Sequence, residues 1–253
     1  MANDDEYIMS SFKDFVIKRA ELITYYEMDA ERISEFNNRI LCVERNPQPN
    51  EFPDFLGKCM DVEVFNVSST AESKRKKGSQ YHKERSALED RMNAALKLSD
   101  DPEENKKGKS YVETLEYKNH SYEFWISSIL RNIKAHKDSR NNYDPQNKEC
   151  AFIAHYTQTV LSYKDENGIE QWHCLGVDRR ALSLIYDELK GLIDYFILYN
   201  ETNSKAEVIP IEMIPSYLNK QTLQYDFYPR EGAGEIRIGC SDTIEPFRFG
   251  GLL

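Results

Sequence analysis

Two acidic residues nine positions apart, Asp54 and Glu63, are the sharpest candidates for chemistry in the sequence. Asp54 follows Pro53, and Glu63 lies within the run Met60-Asp61-Val62-Glu63-Val64-Phe65. Two adjacent strands would bring the carboxylates together. A hard divalent cation prefers oxygen ligands and keeps several waters, so these acids and the backbone carbonyl of Val64 suffice for Mg2+ or Mn2+. Such a cation polarises a phosphate oxygen and makes bound water a better nucleophile.

A structural interpretation of the same residues stays open. Pro-Asp pairs are common at strand starts and turns, and an acid in a valine-rich strand can simply face solvent. Asp61 also competes with Glu63, because residues two apart share one face of a strand. The motif alone therefore does not separate a metal site from a surface turn.

The elements predicted around the acids are two strands and the helices beside them. Residues 52–56 and 60–67 are rich in apolar and β-branched side chains, which favours two strands, and Gly57 lies at the turn between them. Apolar residues at three- and four-residue spacing predict a helix over residues 10–27. A second helix is expected to begin after Asp29, which is a suitable N-cap.

The rest of the chain alternates between helix and strand patterns, and the charged stretch of about residues 99–110 is expected to be a mobile loop. No internal repeat is found, so we expect one mixed α/β domain over residues 1–253. The further expected elements are a helix from Ser121 to about Lys137, a β-hairpin of Ala151–Tyr163 and Gln171–Val177 around Asn167-Gly168, a helix capped by Asp178, strands at Tyr195–Tyr199 and Ala206–Met213, and short strands within Gly232–Gly251.

The chain resembles the PD-(D/E)XK nuclease superfamily, which has the restriction-endonuclease-like fold, over about residues 29–213. The segments that carry the resemblance are PDFLGKCMDVEVFNVSS, the helix ISSILRNIKAHK, the strand AFIAHYT, and the strands YFILYNET and AEVIPIEM. The resemblance implies a mixed central sheet flanked by helices, with an added N-terminal helix and a C-terminal β extension at residues 214–253. It also implies that Asp54 and Glu63 bind the Mg2+ (or Mn2+) of a nuclease acting on DNA.

The family motif has a lysine two residues after the second acid, where this chain has Phe65. Some members supply the lysine from the following helix, for which Lys134 and Lys137 are the candidates here. The family often adds an acid from its first core helix, and Glu31 and Glu35 are available on adjacent turns. The alternative is a catalytically inactive scaffold that serves as a nucleic-acid-binding or protein-interaction module.

The net charge of −10 and the pI near 5.1 argue against a surface that as a whole attracts nucleic acid or anionic lipid. The histidines show no HExxH spacing, which argues against a zinc hydrolase. No apolar run approaches the roughly 20 residues of a membrane span, and the start MANDDEY lacks the features of a secretion signal. We therefore expect a cytoplasmic protein with no membrane partner; a homodimer or a protein partner stays open.

One basic segment follows the Glu63 strand and is a candidate contact for the phosphate backbone of DNA. A solvated charged loop is an equally good interpretation of the same run. Its basic residues are Lys74, Arg75, Lys76, Lys77, Lys83 and Arg85.

Overall fold

The computed structural model describes residues 2–48, 51–69, 110–120, 122–157, 160–164, 170–174, 178–200, 204–219 and 232–241. Its helices are α1 (Ala2–Lys18), α2 (Ala30–Leu41), α3 (Tyr122–Asn141), α4 (Arg179–Leu189) and the short α5 (Ile214–Leu218), with 3-10 turns at Ala20–Leu22 and Ile211–Met213. Its strands are β1 (Ile23–Tyr25), β2 (Glu44–Arg45), β3 (Phe55–Leu56), β4 (Met60–Asn66), β5 (Ser110–His120), β6 (Glu149–Tyr156), β7 (Val160–Lys164), β8 (Glu170–Cys174), β9 (Tyr195–Asn200), β10 (Lys205–Pro210) and β11 (Gly232–Ser241).

Strand β4 shows why the centre of the fold is a buried sheet. Its side chains alternate between the two faces, and every residue except the last, Asn66, is buried. Strands β4, β6 and β9 run parallel to one another, while β2, β3 and β4 form an antiparallel meander at one edge. The order across the seven-stranded sheet is β1-β10-β9-β6-β4-β3-β2.

Helices cover both faces of this sheet. Helices α1 and α2 pack against Val62 and Val64 of β4, whereas α3 and α4 pack on the face that carries Phe65. Trp125 and Ile133 of α3 are fully buried there, and burial of side chains of this size contributes roughly 1.5–3 kcal/mol each. The expected mixed α/β architecture, a mixed sheet flanked by helices, is confirmed.

The predicted start of α2 is confirmed, and the predicted extent of α1 is wrong. The side chain of Asp29 accepts a hydrogen bond from the Arg32 amide, and Asp178 caps α4 in the same way. The helix predicted over residues 10–27 instead begins at Ala2 and ends at Lys18. Residues 23–25 leave the helical pattern because they pair in parallel with β10, so tertiary pairing decides their conformation.

The predicted hairpin around Asn167-Gly168 is present in a shorter form. Strands β7 and β8 pair antiparallel, with Val160 opposite Cys174, but β6 belongs to the central sheet. The segment predicted as one strand over Ala151–Tyr163 is therefore two strands in different sheets. Strands β5, β11, β7 and β8 form a second, four-stranded sheet in that order.

Several expectations fall on residues outside the described ranges. All six residues of the basic segment at 74–85 lie outside them, and so does the stretch of about residues 99–110 except residue 110, which begins β5. The single domain over residues 1–253 stays a prediction. None of the described helices combines the length and apolar character needed to cross a membrane.

Candidate functional site

The structure brings Asp54, which directly precedes β3, beside Glu63 of the neighbouring strand β4. Phe55 pairs with Val62 across β3 and β4, which places the residue before Phe55 opposite the residue after Val62. The Asp54 amide donates to Glu63 Oε2 at 3.0 Å, and the Val64 amide donates to Asp54 Oδ2 at 3.0 Å. Their backbone contacts therefore fix both carboxylates at the same edge of β4.

A buried asparagine holds the segment that carries Asp54. The Asn46 amide donates to the Asp54 carbonyl at 2.8 Å, and Asn46 Nδ2 donates to the Pro53 carbonyl at 2.8 Å. The N–H and C=O groups of one strand residue point to the same edge. Because the Val64 N–H points towards Asp54, its carbonyl also faces this edge, as a third oxygen ligand requires.

His136 of α3 completes the pair from the other side. Its Nδ1 lies 2.5 Å from Glu63 Oε1, and its ring stacks on Phe65 with 5.6 Å between the ring centroids and 14° between the planes. Phe65 is the residue at the position of the motif lysine. The imidazole of His136 therefore lies over that position, in contact with the second acid of the motif.

One feature of the sequence indicates that His136 faces the sheet, although the family motif points to lysines. Ile129 and Ile133 lie on the buried face of α3, and His136 is the next residue on that stripe, three positions after Ile133. A polar, titratable side chain that continues an apolar stripe points towards the sheet. Here the stripe ends on the strand of Glu63.

The contact changes the proton affinity of both groups. Burial raises the pKa of Glu63, and the hydrogen bond from His136 offsets part of that rise. Burial alone would lower the pKa of His136, but Glu63, with further contributions from Asp54 and Asp5, outweighs it and raises that pKa. Both pKa values are raised, so the two groups in contact hold their protons more tightly than the separate groups would.

A third acid comes from α1. Arg45 Nη1 lies 4.0 Å from Asp5 Oδ2 and 4.0 Å from Asp54 Oδ1, so one guanidinium faces both carboxylates. Burial and the charge of Asp54 raise the pKa of Asp5 to about 6, although Arg45 acts in the opposite direction. Carboxylates held this close favour either a bound proton or a cation.

The structure does not bring the predicted lysines and helix acids to this cluster. Lys134 Nζ lies 3.8 Å and Lys137 Nζ 3.2 Å from the carboxylate of Glu188 on α4. Neighbouring residues of a helix point in different directions, so the lysines on either side of His136 do not share its orientation. Both face α4 instead. Glu35 pairs with Arg39 at 2.9 Å, and Glu31 is exposed in the first turn of α2. The helix acid that the structure places near Asp54 is Asp5 of α1, whereas Glu31 and Glu35 of α2 lie elsewhere.

Asp61 is separated from the cluster although it shares a strand face with Glu63. Its carboxylate accepts hydrogen bonds from the Gly57 amide at 3.2 Å, the Tyr143 hydroxyl at 2.8 Å and Lys148 Nζ at 3.2 Å. These donors satisfy a side chain that is completely buried. Asp61 therefore holds the β3–β4 turn and the loop after α3, and it does not add to the acidic cluster.

The donor set fits a weakly caged Mg2+ or Mn2+ better than a closed metal centre. Within the part of the chain that the structure describes, no three His, Cys, Asp or Glu side chains are arranged to hold a metal ion. Mg2+ is commonly bound through one or two carboxylates with several waters. Asp54 and Glu63 are the two carboxylates that this edge of the sheet offers to such an ion.

Replacing Asp5 with asparagine is expected to stabilise the folded protein at pH 7.5 by about 1 kcal/mol, allowing for solvent screening of a partly exposed group. The pKa of Asp5 rises from 3.8 in the unfolded chain to about 6 in the fold. The folded state thus binds this proton more tightly, and its stability falls as pH rises from about 4 to about 6. Urea unfolding at pH 7.5 and pH 4 measures the gain, which should shrink at pH 4.

Asp4→Asn is the matched control for this prediction, because Asp4 is the exposed neighbour in the first turn of α1. Both substitutions remove a charge that is favourable near a helix N-terminus. Only Asp5→Asn also relieves repulsion with Asp54. An Asp5→Asn protein that is no more stable than Asp4→Asn at pH 7.5 would contradict the prediction.

Comparisons of the chain with protein-family models, curated proteins and solved structures find no match.

Proposed function

We propose that this chain is a divalent-metal-dependent nuclease that hydrolyses phosphodiester bonds, with DNA as its substrate class. The observation that carries the proposal is the contact between Asp54 and Glu63 across β3 and β4. Two carboxylates at one strand edge are oxygen ligands of the kind that a hard divalent ion prefers.

The order of the elements supports the resemblance to the PD-(D/E)XK superfamily. Helices α1 and α2 are followed by the antiparallel meander β2-β3-β4, then by β5 of the second sheet and α3, and then by β6 parallel to β4. The two acids lie just before β3 and within β4. We therefore extend the proposal to a restriction-endonuclease-like arrangement of the core.

Each residue has a distinct part in the proposed reaction. Asp54, Glu63 and the Val64 carbonyl would hold Mg2+ or Mn2+, which polarises the phosphate and activates water when bound. His136 would orient the attacking water. Its raised pKa favours the imidazolium, which supplies the positive charge that lysine has in the family motif, and its neutral form accepts a proton.

A second candidate function is a nuclease-like scaffold that binds nucleic acid or a protein without cutting. One observation favours it, because side-chain cations already face the acids. His136 contacts Glu63 at 2.5 Å, and Arg45 lies 4.0 Å from Asp54. If these cations satisfy the acids permanently, no metal is needed for the fold.

Incubation of the protein with supercoiled plasmid and with single-stranded DNA tests the proposal. We expect cleavage with Mg2+ or Mn2+ and none with EDTA, together with divalent-ion binding in calorimetry. Binding of nucleic acid without divalent binding or cleavage would favour the inactive scaffold. Absence of both DNA binding and cleavage would overturn the nuclease and the nucleic-acid-binding scaffold, and would leave only the protein-binding scaffold.

His136→Ala is expected to lower the cleavage rate by about a hundredfold, a typical contribution of one positioned proton-transfer group. The matched controls are Lys134→Ala and Lys137→Ala, whose ammonium groups pair with Glu188. Both should stay within about twofold of the wild-type rate, because neither lysine lies at the acidic cluster. Loss of their ion pairs with Glu188 should also change the stability of the fold little. A large loss in either lysine variant with an unaffected His136→Ala would restore the lysine hypothesis.

A further inference from the structure

A pocket that opens to solvent lies between the end of α1 and the carboxyl end of β9. Its volume is about 180 Å³, which is room for roughly six water molecules. Phe15 of α1, Tyr199 of β9 and Ser204, the residue before β10, contribute to its lining. Strand β9 runs parallel to β6, and ligands of α/β sheets commonly bind outside the carboxyl ends of parallel strands. The pocket therefore has both the room and the position of a ligand site.

Arg19 brings to this pocket a cation that no acid in the described part of the chain neutralises. Its Nη1 donates to Ser204 Oγ at 3.3 Å, and no described carboxylate lies within ion-pair distance of its guanidinium. The side chain is partly exposed and lines the pocket. A guanidinium carries five donors, so one long hydrogen bond to a neutral hydroxyl leaves most of them to water or to a ligand.

The charge of the pocket favours an anion. Among the described lining residues, Lys18 Nζ and Asp14 Oδ2 form an exposed pair at 2.7 Å, so their charges cancel and that of Arg19 remains. The whole chain has a net charge of −10, so a positive pocket departs from the average of the surface. A cleft with an excess of one sign of charge raises the local concentration of ions of the opposite sign.

Hydroxyl groups beside the guanidinium narrow the class of anion. Ser11 Oγ and the Tyr199 hydroxyl oxygen lie 2.8 Å apart and share a hydrogen bond, and the hydroxyl of Ser204 comes from a different part of the chain. A guanidinium fork can bind two oxygens of one phosphate, and a hydroxyl can donate to a third. Donors on α1, on β9 and before β10 suit a tetrahedral phosphate better than a planar carboxylate.

We propose that this pocket binds a phosphate group, with the guanidinium of Arg19 as its main ligand. The volume accommodates the phosphate itself, so whatever carries the phosphate extends into solvent. The described lining includes none of the acids at the Asp54 and Glu63 cluster. Lys18 is thirteen positions after Asp5 on α1, which is about 20 Å along a helix axis. The phosphate site is thus separate from the candidate metal site and does not depend on the proposed nuclease function.

Calorimetry with inorganic phosphate, in EDTA to exclude binding through a divalent ion, tests the proposal. We expect saturable binding at one site, and weaker binding of acetate as the planar anion. Arg19→Met is expected to weaken phosphate binding at least tenfold, and Arg19→Lys, which keeps the charge but loses the fork, to weaken it less. Arg180→Met is the matched control, because Arg180 is also partly exposed but its guanidinium is bound to Glu123.

Asp14→Asn gives a second, independent measurement. It removes the partner of Lys18 and adds one positive charge to the lining, so phosphate should bind several-fold more tightly, with a larger gain at low salt. Thermal melting of each variant without phosphate separates binding from a structural role. A basic residue at the end of a helix stabilises that end, which would change the melting temperature of Arg19→Met but not its affinity for phosphate.

Three results would overturn the proposal. They are the absence of saturable phosphate binding by the wild type, phosphate affinities within twofold of the wild type in both Arg19 variants, and acetate binding as tight as that of phosphate. A protein that binds phosphate here but neither binds nor cuts DNA would overturn the proposed nuclease function and leave the phosphate site standing.

A fluorescein-labelled single-stranded oligonucleotide identifies the source of the phosphate. If the phosphate belongs to nucleic acid, Arg19→Met should also weaken oligonucleotide binding, and excess inorganic phosphate should displace the oligonucleotide from the wild type. If it belongs to a small molecule or is the free anion, phosphate binding should depend on Arg19 while oligonucleotide binding does not. Either result supports the site and assigns its ligand.

Discussion

Replacing Glu63 with glutamine or alanine is expected to lower divalent-dependent DNA cleavage by about a thousandfold or more, equivalent to about 4 kcal/mol of transition-state stabilisation. Glu63 is the residue at which the whole cluster converges. Its Oε1 contacts His136 and its Oε2 accepts the Asp54 amide. Removing the carboxylate charge weakens the hold on the metal and the positioning of the imidazole together, so the loss should exceed that of His136→Ala.

Glutamine keeps an acceptor for the Asp54 amide, which separates loss of charge from loss of fold. The melting temperature and far-ultraviolet spectrum of Glu63→Gln should match those of the wild type, and its affinity for divalent ions in calorimetry should fall. Glu35→Ala is the matched control, because that glutamate forms an exposed pair with Arg39. Undiminished cleavage by Glu63→Ala would rule out the proposed site. A loss of cleavage in Glu35→Ala equal to that in Glu63→Ala would point to an acid of α2 instead.

The proximity of Asp54 and Glu63 could be predicted from sequence because it depends on local pairing. A turn at Gly57 joins two short strands, so a spacing of nine residues is enough to place one acid beside the other. The contributions of Asp5, Arg45 and His136 depend on tertiary packing. They come from α1, β2 and α3, and no local pattern states which turn of a distant helix will lie over β4.

The same distinction separates the elements that were predicted from those that were not. Asp29 and Asp178 cap helices through contacts within three residues, so their roles are visible in the sequence. Strand β1 has three residues and is defined by its parallel partner β10, which is remote in the chain. The family motif specifies a lysine and therefore points to Lys134 and Lys137, whereas His136 is indicated only by the buried stripe of α3.

The largest expected loss of stability is at Asp61. Its completely buried carboxylate joins the β3–β4 turn at Gly57 to Tyr143 and Lys148 in the loop that follows α3. Asp61→Ala would leave three donors without an acceptor, including the ammonium of Lys148. Breaking one side of a buried, hydrogen-bonded ion pair costs about 3–5 kcal/mol, which is a large part of the typical stability of a domain.

Urea unfolding at pH 7 measures this loss, with Asp187→Ala as the matched control because Asp187 is exposed on α4. Asp61→Asn, which keeps an acceptor, should lose less than Asp61→Ala. Lys148→Met should lose less in the Asp61→Asn background than in the wild type, since the two side chains form one pair. An Asp61→Ala protein within about 1 kcal/mol of the wild type would mean that the network is not cooperative. The hydrogen bonds of Asp61 would then not be needed to hold the loop after α3. Asp61 would also have no part in anchoring α3, which carries His136, to β4, which carries Glu63.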